Sequence, residues 1–362
     1  MSHIIQEPRQ FGRDISNLHF KSNTNVPSKQ NLQPTKTVAK KIVQVAQPLK
    51  VNKAPAPLLP THIENEYSTD SEEYSEDAES MMIDNNNLSL EDIDQYDHSD
   101  PQFVAEYIND IMAFLKEKEI AQQTIIPSNY CEFQTDFKPR HRDQLVRWMS
   151  EVYVQLKLFP ETYFLAVNIV DQVLAKGVVP RKKLHIIGVT ALFVASKYEE
   201  TWAPPLNDFR ICCDNAFTED EILAMERLIL NRIDFNLSVP YPLPFLRRYS
   251  KAASSDALSH TISKYIIELT CQSYAMLQFL PSQIAAAAVL ITRQVRNTLP
   301  LWNSNTRYYS GYEKEDLVEC AHAIIRLMKK EHQRAGGSAV VKKYSEKKFM
   351  CVAIIVQEAF SK

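Results

Sequence analysis

The chain has 362 residues, a net charge of -3 and 45% hydrophobic residues. That length allows two domains plus tails. Only six glycines and six cysteines with no CxxC pair argue against glycine-rich phosphate loops, a zinc ribbon or a disulfide framework. An all-α body with reduced thiols at Cys131, Cys212, Cys213, Cys271, Cys320 and Cys351 is the plain reading.

The near-neutral total hides an asymmetry. Residues 1–60 hold nine Lys/Arg against two Asp/Glu, whereas residues 61–100 hold fourteen Asp/Glu and no Lys/Arg. A basic block followed by an acidic one, both poor in large apolar groups, buries too little surface to offset chain entropy. Residues 1–100 therefore read as a disordered regulatory tail. The N-terminus lacks the apolar core of a signal peptide. The acidic stretch 64–79 carries Tyr67, Ser68, Ser71, Tyr74 and Ser75. Phosphate there would deepen an already negative segment; a solubilising spacer is the simpler role. No Ser-Pro or Thr-Pro occurs in the chain, so little modification by a proline-directed kinase is expected.

After Asp100-Pro101 the pattern becomes helical. Tyr107, Ile111 and Phe114 lie three and four apart and predict an amphipathic helix over 102–119. Pro127 to Pro139 is a connector. Residues 141–157 set Leu145, Trp148, Met149, Val152 and Leu156 on one stripe. Residues 161–176 repeat this with Tyr163, Val167, Val170 and Leu174, ending at Gly177. Residues 181–199 are apolar on nearly every side, as a helix inside a bundle must be, and end in Lys197-Tyr198-Glu199-Glu200. A short helix is expected at 205–213. Thr218-Glu219-Asp220-Glu221 forms a capping box that opens 219–232, with Ile222, Met225, Ile229 and Ile233 inward.

Pro240, Pro242 and Pro244 mark a junction, after which the pattern restarts with helices at 244–253, 256–274, 281–296, 312–330 and 338–346. The uncharged run 269–292 is too polar for a membrane span, because it includes Gln272, Ser273, Gln278, Pro281, Ser282 and Gln283. Two buried helices broken at Pro281 fit it better. The apolar third member is Ile284–Leu290 here and Ile187–Ala195 before. Two sets of five helices, each large enough for its own core, make a structural repeat without clear sequence identity.

The segments His141–Trp148, Leu165–Asp171, Ala195–Glu200, Met225–Leu230 and Phe245–Tyr249, in this order and spacing, resemble the cyclin family over about 103–350. Phe245–Tyr249 with Tyr308–Tyr312 resembles the B-type, G2/mitotic members, leaning toward the third animal subclass. The resemblance implies two tandem five-helix cyclin-box folds, at 139–238 and 239–350. An N-terminal helix at 101–122 and the tail at 1–100 would precede them, and a C-terminal tail at 351–362 would follow. It implies a kinase-activating regulatory subunit without catalytic residues, cofactor or metal of its own. The absence of GxGxxG, GxxxxGK[ST], GxSxG and HExxH patterns agrees. The adjacent pairs Glu199-Glu200 and Glu72-Glu73 read as solvated runs, since neighbours in sequence do not face one another.

By the same resemblance, Arg142 and Asp171 form an internal ion pair between successive helices. Lys197 and Glu226 anchor a cyclin-dependent kinase, with Tyr107, Ile111, Val194, Tyr198, Leu230, Phe235 and Leu237 around them. On pattern alone, Lys197 and Glu226 read more readily as a solvated pair at helix ends. The helix 141–157 would dock substrate peptides of the Arg-x-Leu kind through His141, Gln144, Leu145 and Trp148, beside Glu151, Leu184 and His185. His141 and Gln144 stand where the family has Met and Ile, which weakens the apolar grip of such a site. Trp148 reads equally well as core, and His141 as a helix-start residue.

In the tail, Arg9, Phe11, Asp14, Ile15 and Asn17 resemble a destruction box read by a mitotic ubiquitin ligase, with Gly12 at the usual Leu position and Phe11 one residue early. Lys21, Lys29, Lys36, Lys40 and Lys41 would be ubiquitin acceptors. Expected partners are a mitotic cyclin-dependent kinase, its substrates and that ligase, with neither membrane nor direct nucleic-acid contact. Nucleus and cytoplasm are the expected locations; Lys40-Lys41 and Lys342-Lys343 are weak import signals. The rival readings are a transcription-coupled cyclin or a general transcription factor of the same fold. The latter needs a basic face and usually a zinc ribbon.

Overall fold

The computed structural model describes residues 90–334 and 336–360, and every regular element among them is helical. Residues 1–89, including the degron-like Arg9, Phe11, Asp14, Ile15 and Asn17, lie outside the described residues. No described helix is long and apolar enough to cross a membrane.

Helix α1 spans Ile108–Ile125, later than the predicted 102–119. Asp100 accepts a hydrogen bond from the Gln102 amide and caps a short 3-10 turn at Pro101–Phe103. Val104 then takes a left-handed conformation at φ 46°, so the chain cannot run on as one helix. The first repeat follows as α2 (Pro139–Gln155), α3 (Pro160–Ala175), α4 (Leu184–Glu199), α5 (Leu206–Ile211) and α6 (Glu219–Arg232). The second is α7 (Pro242–Ala252), α8 (Ala257–Thr270), α9 (Pro281–Val295), α10 (Ser304–Ser310), α11 (Val318–His332), α12 (Ala339–Tyr344) and α13 (Val352–Ala359).

Local chemistry sets these starts. Helices α2, α3, α7 and α9 begin with proline in the first turn, where its missing N–H costs nothing and its φ is already helical. The capping box at α6 forms as expected. Thr218 Oγ1 accepts from the Glu221 amide at 3.2 Å, and Glu221 Oε2 accepts from the Thr218 amide at 2.8 Å.

Each repeat wraps its helices around one buried member, α4 in the first and α9 in the second. Helix α4 packs on α2, α3 and α6; helix α9 packs on α7, α8 and α11. Two separate apolar cores result. The approach of α2 to α4 is close enough that a Cβ built on Gly188 would lie 2.8 Å from Leu145 Cδ1.

Three expectations differ from the structure. The helix expected at 312–330 starts later, as α11 at Val318 after a 3-10 turn at Glu315–Leu317, and an unexpected helix, α10, precedes it and ends at Gly311 with φ 75°. The expected C-terminal tail at 351–362 contains α13, whose Val352, Ala353 and Val356 are buried in the second core. Residues 90–100, expected to be tail, fold as turns, and Asp94 is buried. The second repeat thus has the five expected helices plus α10 and α13.

The repeats are joined mainly through α2. Arg142 Nη1 donates to the Cys271 carbonyl at 2.5 Å, and Asp143 Oδ1 accepts from the Tyr274 amide at 2.7 Å. Arg147 forks onto the buried Glu331 of α11. Tyr153 enters a cluster with Glu268 and Lys343, in which Lys343 Nζ donates to both Glu268 oxygens at 3.1 and 2.9 Å. Burial pushes Lys343 below its ordinary value despite Glu268, and pushes the Tyr153 and Tyr344 phenols up.

Candidate functional site

From Ile186 to Ser196 helix α4 is buried on all sides, so Lys197 is the first residue of its last turn to reach solvent. Its ammonium pairs with Glu226 of α6 and lies 4.2 Å from the centre of the Phe193 ring. Lys197 is 42% exposed and Glu226 13%. With the lysine this exposed the pair is worth only about 0.2–1 kcal/mol. Both groups are therefore available to a second protein at little cost.

Apolar residues flank this pair in a traceable order. Tyr198 follows Lys197 and is exposed. Leu230 lies four residues beyond Glu226, on the same face of α6, and is half-buried. The Phe235 amide donates to the Leu230 carbonyl at 2.9 Å, which turns the chain back after α6. Asp234 and Phe235 take positive φ values of 53° and 55°. Such a conformation is a genuine outlier for a bulky side chain. Phe235 gains no burial from it, being 64% exposed. The turn is held by Lys176 with Asp234 at 2.5 Å and by the Leu237 amide donating to the Phe235 carbonyl at 3.0 Å. Strain kept without a packing gain is a recurrent mark of functional positions.

Helix α1 joins this surface through a polar relay. Gln122 of α1 donates to Asn168 of α3 at 3.2 Å. Gln172 donates to Asn168 at 2.8 Å and to the Asn236 carbonyl at 3.1 Å. Ile111 and Tyr107 then lie about 16 and 22 Å from Gln122 along the helix, and both are exposed. Of the nine residues expected in this surface, eight are exposed or half-buried and Val194 is not. Val194 is 3% exposed and belongs to the first core. The all-round burial of α4 leaves its apolar positions none to present.

The internal ion pair has the expected partners and is buried. Arg142 Nε and Nη2 donate to the two Asp171 oxygens at 3.0 and 2.7 Å. The Tyr130 hydroxyl adds a third bond to Asp171 at 2.7 Å. Burial works against the Arg142 charge, but Asp171 outweighs it and holds the guanidinium above its ordinary range.

The expected docking patch on α2 splits into parts. Leu145 and Leu184 are buried in the first core and present nothing outward. His141 Nδ1 accepts from the Lys138 amide at 2.9 Å and so acts at the helix start. Trp148 is half-buried, its ring edge-on to His185 at 5.0 Å. Gln144, Glu151 and His185 are exposed. What remains is a narrow, largely polar strip around one indole.

Glu200 is not a solvated carboxylate. Its Oε1 accepts from the Phe159 amide and the Thr162 hydroxyl, each at 2.6 Å, and caps the N-terminus of α3. Burial pushes the neighbouring Glu199 up, as does Glu161. Trp202, in the loop after α4, is 89% exposed, and nothing in the local pattern separates it from a core tryptophan. Burial also raises the thiols, Cys131 and Cys213 to about 11 and Cys320 to about 12, so these cysteines are poor nucleophiles.

The description "Cyclin, N-terminal domain" matches residues 110–238, and "Cyclin, C-terminal domain" matches 240–358. The G2/mitotic-specific cyclin-B of Dictyostelium discoideum is 43% identical over 278 residues, covering 76% of this chain and 63% of the relative. The G2/mitotic-specific cyclin cdc13 of Schizosaccharomyces pombe is 39% identical over 272 residues, covering 75% of this chain and 55% of the relative. The chain thus spans less than two thirds of the length of these two relatives. The X-ray structure of a viral cyclin from herpesvirus saimiri shares the fold with a TM-score of 0.52 at 20% identity, covering 70% of this chain and 98% of that one. With both repeats matched by cyclin domains and B-type proteins aligned along them, the chain belongs to the cyclin family, among its B-type members.

Proposed function

We propose that this chain is the regulatory subunit of a mitotic cyclin-dependent kinase, which it binds through the surface formed by α1, α4, α6 and the turn after α6. The observation that carries this reading is the Lys197–Glu226 pair set beside exposed Tyr198 and the strained, exposed Phe235. An apolar centre with a few charge-assisted anchors is the chemistry that grips and repositions a partner's helix. Catalysis then belongs to the kinase, and the cyclin's contribution is bounded by its preference for the active conformer. Similarity to G2/mitotic-specific cyclins supports placing this activity at G2/M.

The tail completes the proposal. Arg9, Phe11, Asp14, Ile15 and Asn17 are read by a mitotic ubiquitin ligase, and ubiquitin-dependent proteolysis removes the subunit in mitosis. The protein works in nucleus and cytoplasm, and the strip around Trp148 contributes weakly to substrate choice. The test is reconstitution with a purified mitotic kinase and histone as substrate. The wild-type chain raises histone phosphorylation. Lys197→Ala/Glu226→Ala or Phe235→Ala weakens kinase binding by about 2 kcal/mol or more, roughly thirty-fold. Unchanged binding in both variants contradicts the proposed surface.

A further inference from the structure

Helix α1 carries two residues of the proposed surface at its exposed start, yet its only buried residues are Glu119 and Gln122, near its other end. Met112 and Leu115 are partly buried against the second core. The far half is well tied. Lys116 donates to the Ser310 carbonyl at 2.8 Å, and Glu119 accepts from the Ser282 amide and hydroxyl at 2.9 and 2.6 Å. The first turn has no comparable packing.

It does have a polar tether. The segment 91–97 lies on α7 and α10 as a strap. The Glu91 amide donates to Asn305 at 3.1 Å, and the Ile93 amide donates to the Tyr309 hydroxyl at 3.2 Å. Tyr309 in turn donates to the Glu91 carbonyl at 3.1 Å. Asp94 is the strap's buried anchor. It accepts from Arg248 at 2.5 Å and from Lys251 at 2.8 Å, and Lys251 also pairs with Asp97. Arg248 stacks over Tyr309 at 4.8 Å and reaches Asn109, in the first turn of α1, at 3.4 Å. One guanidinium therefore touches the strap, the second repeat and the unpacked start of α1.

We infer that Asp94 is a positioning residue for kinase binding: through Arg248 it fixes the first turn of α1, and with it Tyr107 and Ile111, on the second repeat. The inference rests on the proposed kinase-binding surface. The strap and helix start then form one unit with α7 and α10. The second repeat, which supplies none of the proposed contact residues, sets the position of two of them.

The test uses the full chain and a purified mitotic kinase, comparing wild type, Asp94→Asn, Asp94→Glu, Tyr107→Ala/Ile111→Ala, and Asp94→Asn combined with the last. Hydrogen exchange over residues 90–112 is followed in the free chain. Asp94→Asn is expected to lose protection at 90–112 and to bind the kinase about ten-fold more weakly. Asp94→Glu, which keeps the charge, recovers part of both. In the Tyr107→Ala/Ile111→Ala background, Asp94→Asn costs nothing further, which a general loss of stability would not produce. Unchanged affinity and protection, or the same loss in both backgrounds, overturns the inference. Should the wild-type chain bind no kinase, the functional reading fails by itself. Exchange then decides the strap alone: unaltered protection of 104–112 in Asp94→Asn refutes the positioning.

Discussion

At the residue scale, the firmest commitment is a buried charge pair. Arg142 and Asp171 are 1% and 2% exposed, and the Tyr130 hydroxyl and the Cys271 carbonyl each add a further hydrogen bond to the pair. Arg142→Ala leaves Asp171 buried with one hydroxyl donor. Stranding a buried charge costs roughly 3–5 kcal/mol, and urea unfolding of the variant is expected to show a loss in that range. This pair was legible in the sequence because the resemblance assigned it to successive helices, and so were the partners Lys197 and Glu226. Val194, Leu145 and Leu184 were misplaced because a position in a motif does not report which way a buried helix faces. The roles of Glu200 and Asp94 were not legible. Each bonds to a partner distant in sequence, 38 and 154 residues away, and no local pattern encodes that pairing.

At the scale of elements, α4 decides the first repeat. Its contact with α2 depends on Gly188, where a methyl group would meet Leu145 at 2.8 Å. Overfilling a close-packed core costs about 1–3 kcal/mol, more than alanine's helix preference of about 1 kcal/mol over glycine returns. Gly188→Ala is therefore expected to lower the thermal midpoint, and an unchanged or raised midpoint contradicts the packing described. Periodicity located α2, α3, α4, α6, α7, α8 and α9 because each carries an apolar stripe and a proline, capping or glycine boundary. It failed at α10 and α13, which are short helices. A short apolar run such as Val352–Val356 has no distinguishing period, and its burial depends on contacts from the rest of the second repeat.

At the scale of the molecule, α2 fastens one repeat to the other through Arg142, Asp143, Arg147, Ser150 and Tyr153, so the two cores form one support for the proposed surface. The second repeat also carries two half-buried imidazoles. Burial lowers His260, as do Lys264 and Arg247; burial lowers His332, opposed by Glu331. A histidine whose folded pKa is depressed favours folding above its unfolded value, about 6.5. That contribution is lost as pH falls through 6.5 toward the folded pKa, because the unfolded chain binds the proton more readily. Thermal midpoints are expected to fall between pH 7.5 and 5.5, and to fall less in His260→Gln/His332→Gln. An equal fall in both proteins contradicts this assignment. The most direct test of the central claim is capture of tagged wild-type chain and Lys197→Ala/Glu226→Ala from mitotic extract, with retained proteins identified by mass spectrometry. The wild-type chain is predicted to retain a cyclin-dependent kinase and the variant to lose most of it; a wild-type chain that retains no protein kinase contradicts the account.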